Sequence, residues 1–207
     1  MAAGSGDDSI AAAARRWHPE AQLTRLQAEI IGGLILMRAS RANLLIFGYG
    51  RDTEYWATLN HAGRTLVVED DPEWLAEAGR SGGGFTLVEH AYPTTVGATA
   101  GLDLACHEAT LDRHALPRGV AAHDWDLVII DGPAGYDDAK PGRALPIHWA
   151  GRRIAQAAHV FVDDCERPLE RRYCRHYLVG AGRGVVLPSH GQARMFWRFG
   201  RFAPLWG

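Results

Sequence analysis

Asn43-Leu44-Leu45-Ile46-Phe47-Gly48-Tyr49-Gly50 decides the fold of this chain. Leu44 to Phe47 is an unbroken apolar run, the pattern of a parallel strand buried on both faces. It empties into a Gly-x-Gly turn, and a helix is expected from about Thr53 to Asn60. The same unit then recurs. Arg64-Thr65-Leu66-Val67-Val68 reads as a second strand ending in Glu69-Asp70-Asp71, with Pro72 where a helix can begin. Phe85 to Glu89 reads as a third strand, and Trp125 to Ile130 as a fourth that ends in Asp131-Gly132-Pro133. A helix over roughly 143–157 leads to a fifth strand, His159 to Val162, which ends in Asp163-Asp164, and Arg167 to His176 reads as helical. Two last strands, about 178–187 and 192–199, flank the turn Pro188-Ser189-His190-Gly191. Alternating strands and helices closed by a hairpin predict an α/β fold: a mostly parallel seven-stranded sheet, helices on both faces, and one antiparallel hairpin at the C-terminus.

Outward from that core, residues 1–8 read as a loose tail and residues 9–40 as helical, with Ser9 as a cap and His18-Pro19-Glu20 as an interruption. The organisation expected is an N-terminal tail and helical lid over 1–40 and one domain over 41–207. The stretch 91–122 reads as rich in loops.

A chain of 207 residues suits one domain, and 47% apolar with 22% charged residues is ordinary for a globule. A net charge of −2 supplies no bulk basic field, so no nucleic-acid partner is expected. The cations are almost all arginine, with Lys140 the single lysine. Codon bias explains this most simply, although some arginines can clamp a carboxylate or phosphate. Three cysteines, Cys106, Cys165 and Cys174, without a CxxC pair point to a reduced, cytoplasmic compartment. No apolar run of about 18 residues and no basic-then-apolar leader is present, so no membrane partner is expected. The oligomeric state is left open.

Ligands of open α/β sheets bind beyond the carboxyl ends of the strands. Those ends carry Gly48, Tyr49, Gly50 and Asp52, then Glu69 and Asp70, then His90, and these are the candidate cofactor-binding residues. A dinucleotide fingerprint wants a third glycine where Thr53 stands. Glu69 is placed where a carboxylate accepts from both ribose hydroxyls. A plain tight turn and a solvated helix start account for the same residues. A ribose site without a pyrophosphate glycine favours S-adenosyl-L-methionine, and the terminal hairpin suits that class of methyltransferase.

Several motifs then appear in order: Phe47-Gly48-Tyr49-Gly50-Arg51-Asp52; Trp56 to Thr65; Glu69-Asp70-Asp71 with Trp74; His90-Ala91-Tyr92-Pro93-Thr94; Trp125 to Tyr136; Pro141-Gly142-Arg143; and Val160 to Asp164 with Arg167 and Glu170. Together, over about 43–180, they resemble the plant glucuronoxylan 4-O-methyltransferase family and its irregular-xylem relatives. The resemblance implies a Rossmann-like class I methyltransferase using S-adenosylmethionine on a sugar hydroxyl, in plants position 4 of a glucuronic acid side chain. Two positions depart from the plant pattern: Arg51 stands where His is usual, and Asp163-Asp164 where His-Asp is usual. Plant members are anchored in the Golgi, and this arginine-rich chain shows no anchor. The expectation is a soluble, bacterial relative acting on a glycan or small hydroxylated acceptor. Two alternatives are another use of S-adenosylmethionine, such as transfer of a different group or cyclisation, and a non-catalytic ligand-binding role in polysaccharide assembly.

Methylating a hydroxyl needs a base. Asp131 is the candidate base, and could equally bind the acceptor or a metal. Asp163 and Asp164 are further catalytic candidates. Being adjacent, they point to opposite faces unless the strand has already ended. With Asp131 they offer hard oxygen ligands suited to Mg²⁺ or Mn²⁺. Tyr92, Tyr136 and Arg143 are the acceptor candidates, Arg143 as a bidentate clamp on a uronate or, equally, in a salt bridge to a nearby aspartate such as Asp137 or Asp138. Trp149, one helical turn from Arg153, is expected near the surface, and Cys165 as a small buried residue.

Overall fold

The computed structural model describes residues 13, 24–154, 159–178, 183–188 and 192–197. The expected cap at Ser9, the interruption at 18–20 and the turn at 189–191 lie outside these residues. Helix α1 (Arg25–Met37) is followed by β1 (Asn43–Phe47), α2 (Thr53–Leu59), β2 (Arg64–Glu69), α3 (Pro72–Arg80) and β3 (Thr86–Glu89). Then come α4 (Val96–Ala100), α5 (Leu104–Asp112), β4 (Leu127–Ile130), α6 (Ala144–Trp149), β5 (His159–Val162), α7 (Pro168–Tyr177), β6 (Arg183–Pro188) and β7 (Gln192–Trp197). The sheet order is β3-β2-β1-β4-β5-β7-β6. β1 to β5 are parallel, and β7 runs antiparallel between β5 and β6.

Both faces of the central strands are covered, which is why they read as continuous apolar runs. Leu45 and Phe47 of β1, Val128 and Ile130 of β4, and Val160 and Val162 of β5 pack on one side with α6 and α7. Leu44 and Ile46, Leu127 and Ile129, and Phe161 pack on the other with α1 and with Tyr55 and Trp56 of α2. Each fully buried aliphatic or aromatic side chain of this kind contributes about 1.5–3 kcal/mol. α1 presents Ala28, Ile31 and Ile35 to that second cluster, at helical spacing. Its start is a capping box: Thr24 Oγ1 accepts from Gln27 N at 3.2 Å, and Gln27 Oε1 accepts from Thr24 N at 2.8 Å. Among the described residues no helix is long and apolar enough to cross a membrane.

Three local expectations are corrected. The stretch 91–122 carries two helices, α4 capped by Thr95 and α5 capped by Asp103, whose side chains accept from Ala98 N and Ala105 N. The helix expected over 143–157 is a short α6 that runs into a wider π-type turn over Ala150–Ile154. Trp149 is fully buried rather than near the surface, packed between Phe47, His90 and Tyr92.

Candidate active site

The ends of β1 and β4 meet backbone to backbone. Gly48 has φ +94°, and a Cβ there would stand 2.6 Å from Gly132 N; one on Gly132 would stand 2.5 Å from Gly48 Cα. Asp131 N and Gly132 N both donate to the Phe47 carbonyl, at 2.9 and 2.7 Å. Glycine at both positions is therefore a packing requirement, and it brings Asp131 beside the loop. Gly50 does not adopt a positive φ; its N–H donates to Thr53 Oγ1 at 2.9 Å. Asp52 is tied down by Trp56, whose Nε1 donates to its Oδ2 at 2.6 Å.

Tyr49 corrects part of the sequence expectation. Its ring packs against Trp74 and Phe85, and its hydroxyl donates to Glu54 Oε1 at 2.9 Å. Any contact of Tyr49 with a cofactor falls to its backbone. That backbone is held by Glu69, whose Oε2 accepts from Tyr49 N at 2.6 Å. Glu69 Oε1 accepts from Asp70 N and Asp71 N, at 2.8 and 2.7 Å. The Glu69 side chain is thus the strut between the glycine loop and the β2–α3 turn. Three of the roughly four acceptor positions of its carboxylate are used, and one is left. Asp70, half-buried beside it, has its carboxyl pushed up to about 6, first by burial and then by the Glu69 and Asp71 charges.

Beyond β3, the His90 and Tyr92 rings meet edge-on at 5.0 Å, and Tyr92 lies nearly parallel to Trp149 at 6.1 Å. His90 Nε2, Tyr92 OH and Trp149 Nε1 are buried and find no partner among the described residues. Burial lowers the His90 imidazole below its ordinary value and, with Asp70 and Glu69, raises the Tyr92 phenol far above its own. This wall is therefore uncharged at neutral pH. Three unpaired polar atoms at the carboxyl end of the sheet call for a polar ligand or ordered water. Tyr136 stands apart at 68% exposure, with Lys140 Nζ 5.2 Å from its ring centroid.

The acidic residues converge more closely than their spacing suggested. β5 ends at Val162, and Asp164 takes a left-handed backbone, φ +54°. The two neighbouring aspartates are thereby freed from strand alternation, and ligand oxygens of Asp131, Asp163 and Asp164 lie within 4.8 Å of one another. Arg143 lies beneath them. Its Nη2 donates to Asp131 Oδ1 at 2.9 Å and to the Asp131 carbonyl, and its Nη1 donates to Asp164 Oδ2 at 2.5 Å and to the Asp163 carbonyl at 3.0 Å. Arg167 reaches the same Asp164 oxygen at 2.9 Å.

These bonds correct the role expected of Arg143. The residue is 3% exposed, and all four N–H bonds of its two terminal nitrogens are occupied. It cannot present a fork to the carboxylate of an acceptor. Instead it is the resident counter-cation of the acidic group. The three carboxylates are close enough to share a cation, but the guanidinium already engages two of them.

Asp131 keeps a side chain 47% exposed to the crevice. Its carboxyl is pushed above the ordinary range, first by desolvation and then by Asp163, Asp52 and Asp164, with Arg143 pulling the other way. Asp163 is raised too, first by burial, with Asp164 adding to it and Arg143 opposing. Glu170 was noticed in the sequence only as part of a motif. It is 1% exposed, both its oxygens lack a partner among the described residues, and burial raises its pKa.

The sequence profile described as IRX15/IRX15L/GXM matches residues 29–109 and 87–184. Glucuronoxylan 4-O-methyltransferase 2 of Arabidopsis thaliana is 31% identical over 180 residues, covering 78% of this chain and 61% of that protein. Arabinogalactan O-methyltransferase 1 of the same plant is 32% identical over 174 residues, covering 71% of this chain and 60% of that protein. The chain thus spans about three fifths of the length of these relatives. A solved structure of a candidate caffeoyl-CoA O-methyltransferase from Staphylococcus aureus superimposes with a TM-score of 0.55 at 11% identity, covering 93% of this chain and 92% of that one. The Thermoplasma acidophilum 1320 protein superimposes with a TM-score of 0.50 at 13% identity, covering 93% and 99%. The fold is the Rossmann-like fold of methyltransferases.

Proposed function

The chain belongs to the IRX15/IRX15L/GXM family, and on that premise we propose that it is an S-adenosylmethionine-dependent O-methyltransferase acting on a hydroxyl of a sugar. The observation that carries the reading is Asp131. It is a carboxylate of raised pKa at the end of β4, open to the crevice, beside the glycine loop and braced from below by Arg143. The names of the relatives, xylan and arabinogalactan O-methyltransferases, supply the acceptor class.

The crevice residues fit the donor. Glu69, three of whose acceptor positions are taken by backbone N–H groups, has one left, for one ribose hydroxyl rather than the two expected from the sequence, with the Asp70 carboxyl adjacent. The unpaired His90 Nε2 and Tyr92 OH offer polar atoms along the same edge. When bound, S-adenosylmethionine supplies an electrophilic methyl group on a sulfonium. Asp131 receives the proton of the acceptor hydroxyl while that oxygen forms its bond to the methyl carbon and the carbon–sulfur bond breaks. Because Arg143 engages Oδ1, the proton goes to Oδ2. Arg143 keeps the base from drifting still higher in pKa, and holds its carboxylate in one orientation. Asp163 and Asp164 add negative charge beside Asp131, which raises its proton affinity. The exposed Tyr136 ring, with Lys140 Nζ 5.2 Å from its centroid, offers a platform and a cation for the sugar.

The test supplies methyl-labelled S-adenosylmethionine with xylan and arabinogalactan oligosaccharides. The expected product is a methyl ether on the glycan with one S-adenosylhomocysteine formed per transfer. With Arg143 as counter-cation, transfer is expected to persist after exhaustive chelation. Loss of transfer in EDTA with S-adenosylhomocysteine binding retained would restore a metal to the Asp131 group. Release of methylthioadenosine without methylated glycan would replace the proposal with another use of the donor.

A further inference from the structure

Outside the crevice, α7 and the start of α5 enclose a groove of roughly 650 Å³ lined by Arg171, Arg172, Arg175, His176, Pro168 and Asp103. Its charge is out of keeping with a chain of net charge −2. Arg171 and Arg175 stand four residues apart on one helical face, an arrangement of like charges that weakens a helix. No ion pair among the described residues neutralises any of the three arginines. Arg172 donates to the carbonyls of Ala100 and Leu102, and Arg171 Nη2 to that of Glu166, bonds that position the guanidinium groups without cancelling their charge. Arg171 Nε is buried and lacks a partner among the described residues. Asp103, the acid in the groove, already caps α5 through Ala105 N at 3.1 Å. Arg175 is exposed.

The groove is also placed to extend the acceptor site. Its Pro168 end follows Arg167, which grips Asp164 of the acidic group. From Pro168 to His176 it runs eight residues along α7, roughly 12 Å. We propose that this groove is a second glycan-binding site, taking the carboxylate of an acidic sugar some way along the chain from the sugar that is methylated at Asp131. Guanidinium groups bind carboxylates through paired, charge-assisted hydrogen bonds. The buried Arg143 cannot meet this need, and Arg171 and Arg175 can. The inference rests on the glycan acceptor proposed above.

The experiment is calorimetric titration of a glucuronate-bearing xylo-oligosaccharide and its carboxyl-reduced counterpart into the wild type, Arg175→Gln and Arg175→Glu, each checked for an unchanged melting temperature. Methyl transfer is followed in parallel on the oligosaccharide and on a single glucuronoside too short to reach the groove. The wild type is expected to prefer the acidic oligosaccharide, and Arg175→Gln to weaken that binding about 10-fold. Arg175→Glu is expected to weaken it further, while transfer to the short acceptor is unchanged. Equal binding of the reduced oligosaccharide by the wild type, or unchanged affinity in both variants, overturns the groove. Arginine-dependent binding without any methyl transfer leaves the groove standing and removes the proposed reaction. Methyl transfer without arginine dependence does the reverse.

Discussion

Asp131→Asn is expected to lower kcat by about 10²- to 10⁴-fold, the range for removal of a positioned proton acceptor. The fold should survive, because an amide oxygen can still accept from Arg143 Nη2, now 2.9 Å from Oδ1. S-adenosylhomocysteine should bind the variant within about twofold of wild type, since the lost group faces the acceptor. The pH profile provides a second readout. A base works only when deprotonated, so kcat/KM falls as pH drops through the pKa of Asp131. Desolvation and three neighbouring carboxylates raise that pKa, so the acid limb should lie well above the ~4 of an ordinary aspartate, and it should vanish in the variant. A variant of near-normal activity would transfer the base role elsewhere.

Arg143→Leu is expected to be the most destabilising change in the site. Removing one partner from a buried ionic group costs about 3–5 kcal/mol. Asp131 is half exposed and Asp164 partly so, and water screens what remains, so about 2–3 kcal/mol is the appropriate figure here. For a domain of this size that is a fall in Tm of roughly 5–10 °C. The dependence on pH identifies the cause. Asp131 and Asp163 already have folded-state pKa values above the ordinary one. Loss of the guanidinium raises them further. A raised folded-state carboxylate contributes stability at low pH, and that stability is lost as pH rises through the folded pKa. The Tm deficit of Arg143→Leu should therefore be small at pH 4 and widen towards pH 8. A deficit independent of pH would mean that lost packing, and not uncompensated carboxylate charge, is responsible.

What could be read from the sequence follows from how local each feature is. The runs Leu44–Phe47 and Leu127–Ile130 declare buried parallel strands because both their faces are covered, so no alternation obscures them. Asp131, Glu69 and the Asp163-Asp164 pair stand out because strand ends are where such sheets place their chemistry. Gly48 has a second reason to be glycine that the sequence does not show. It reads as a ligand-approach or tight-turn glycine, and in the fold its missing Cβ also makes room for Gly132, a neighbour remote in sequence. Arg143 reads as an acceptor clamp or the partner of a sequence-near aspartate after a Pro-Gly turn, because only the folded β4 and β5 ends bring Asp131, Asp163 and Asp164 over it. The left-handed backbone of Asp164 carries only a weak sequence signal, aspartate being merely enriched there, yet it draws that side chain to the arginines. α5 was passed over because Leu104 and Leu111 are its only buried residues, too thin a stripe to register as a helical period, although Asp103 before it is a cap type.

The central claim is that the crevice between the glycine loop and the β2 end holds the adenosyl donor, with Glu69 as its anchor. Titration calorimetry with S-adenosylhomocysteine tests it most directly, on the wild type and on Glu69→Gln. The account predicts one molecule bound per chain. It also predicts affinity lowered about 10-fold or more in Glu69→Gln, because the amide replaces one acceptor oxygen with a donor facing the loop N–H groups and the ribose. A folded wild type that gives no binding heat at any temperature and no ligand-induced rise in Tm, or a Glu69→Gln variant that binds as tightly as wild type, would contradict it.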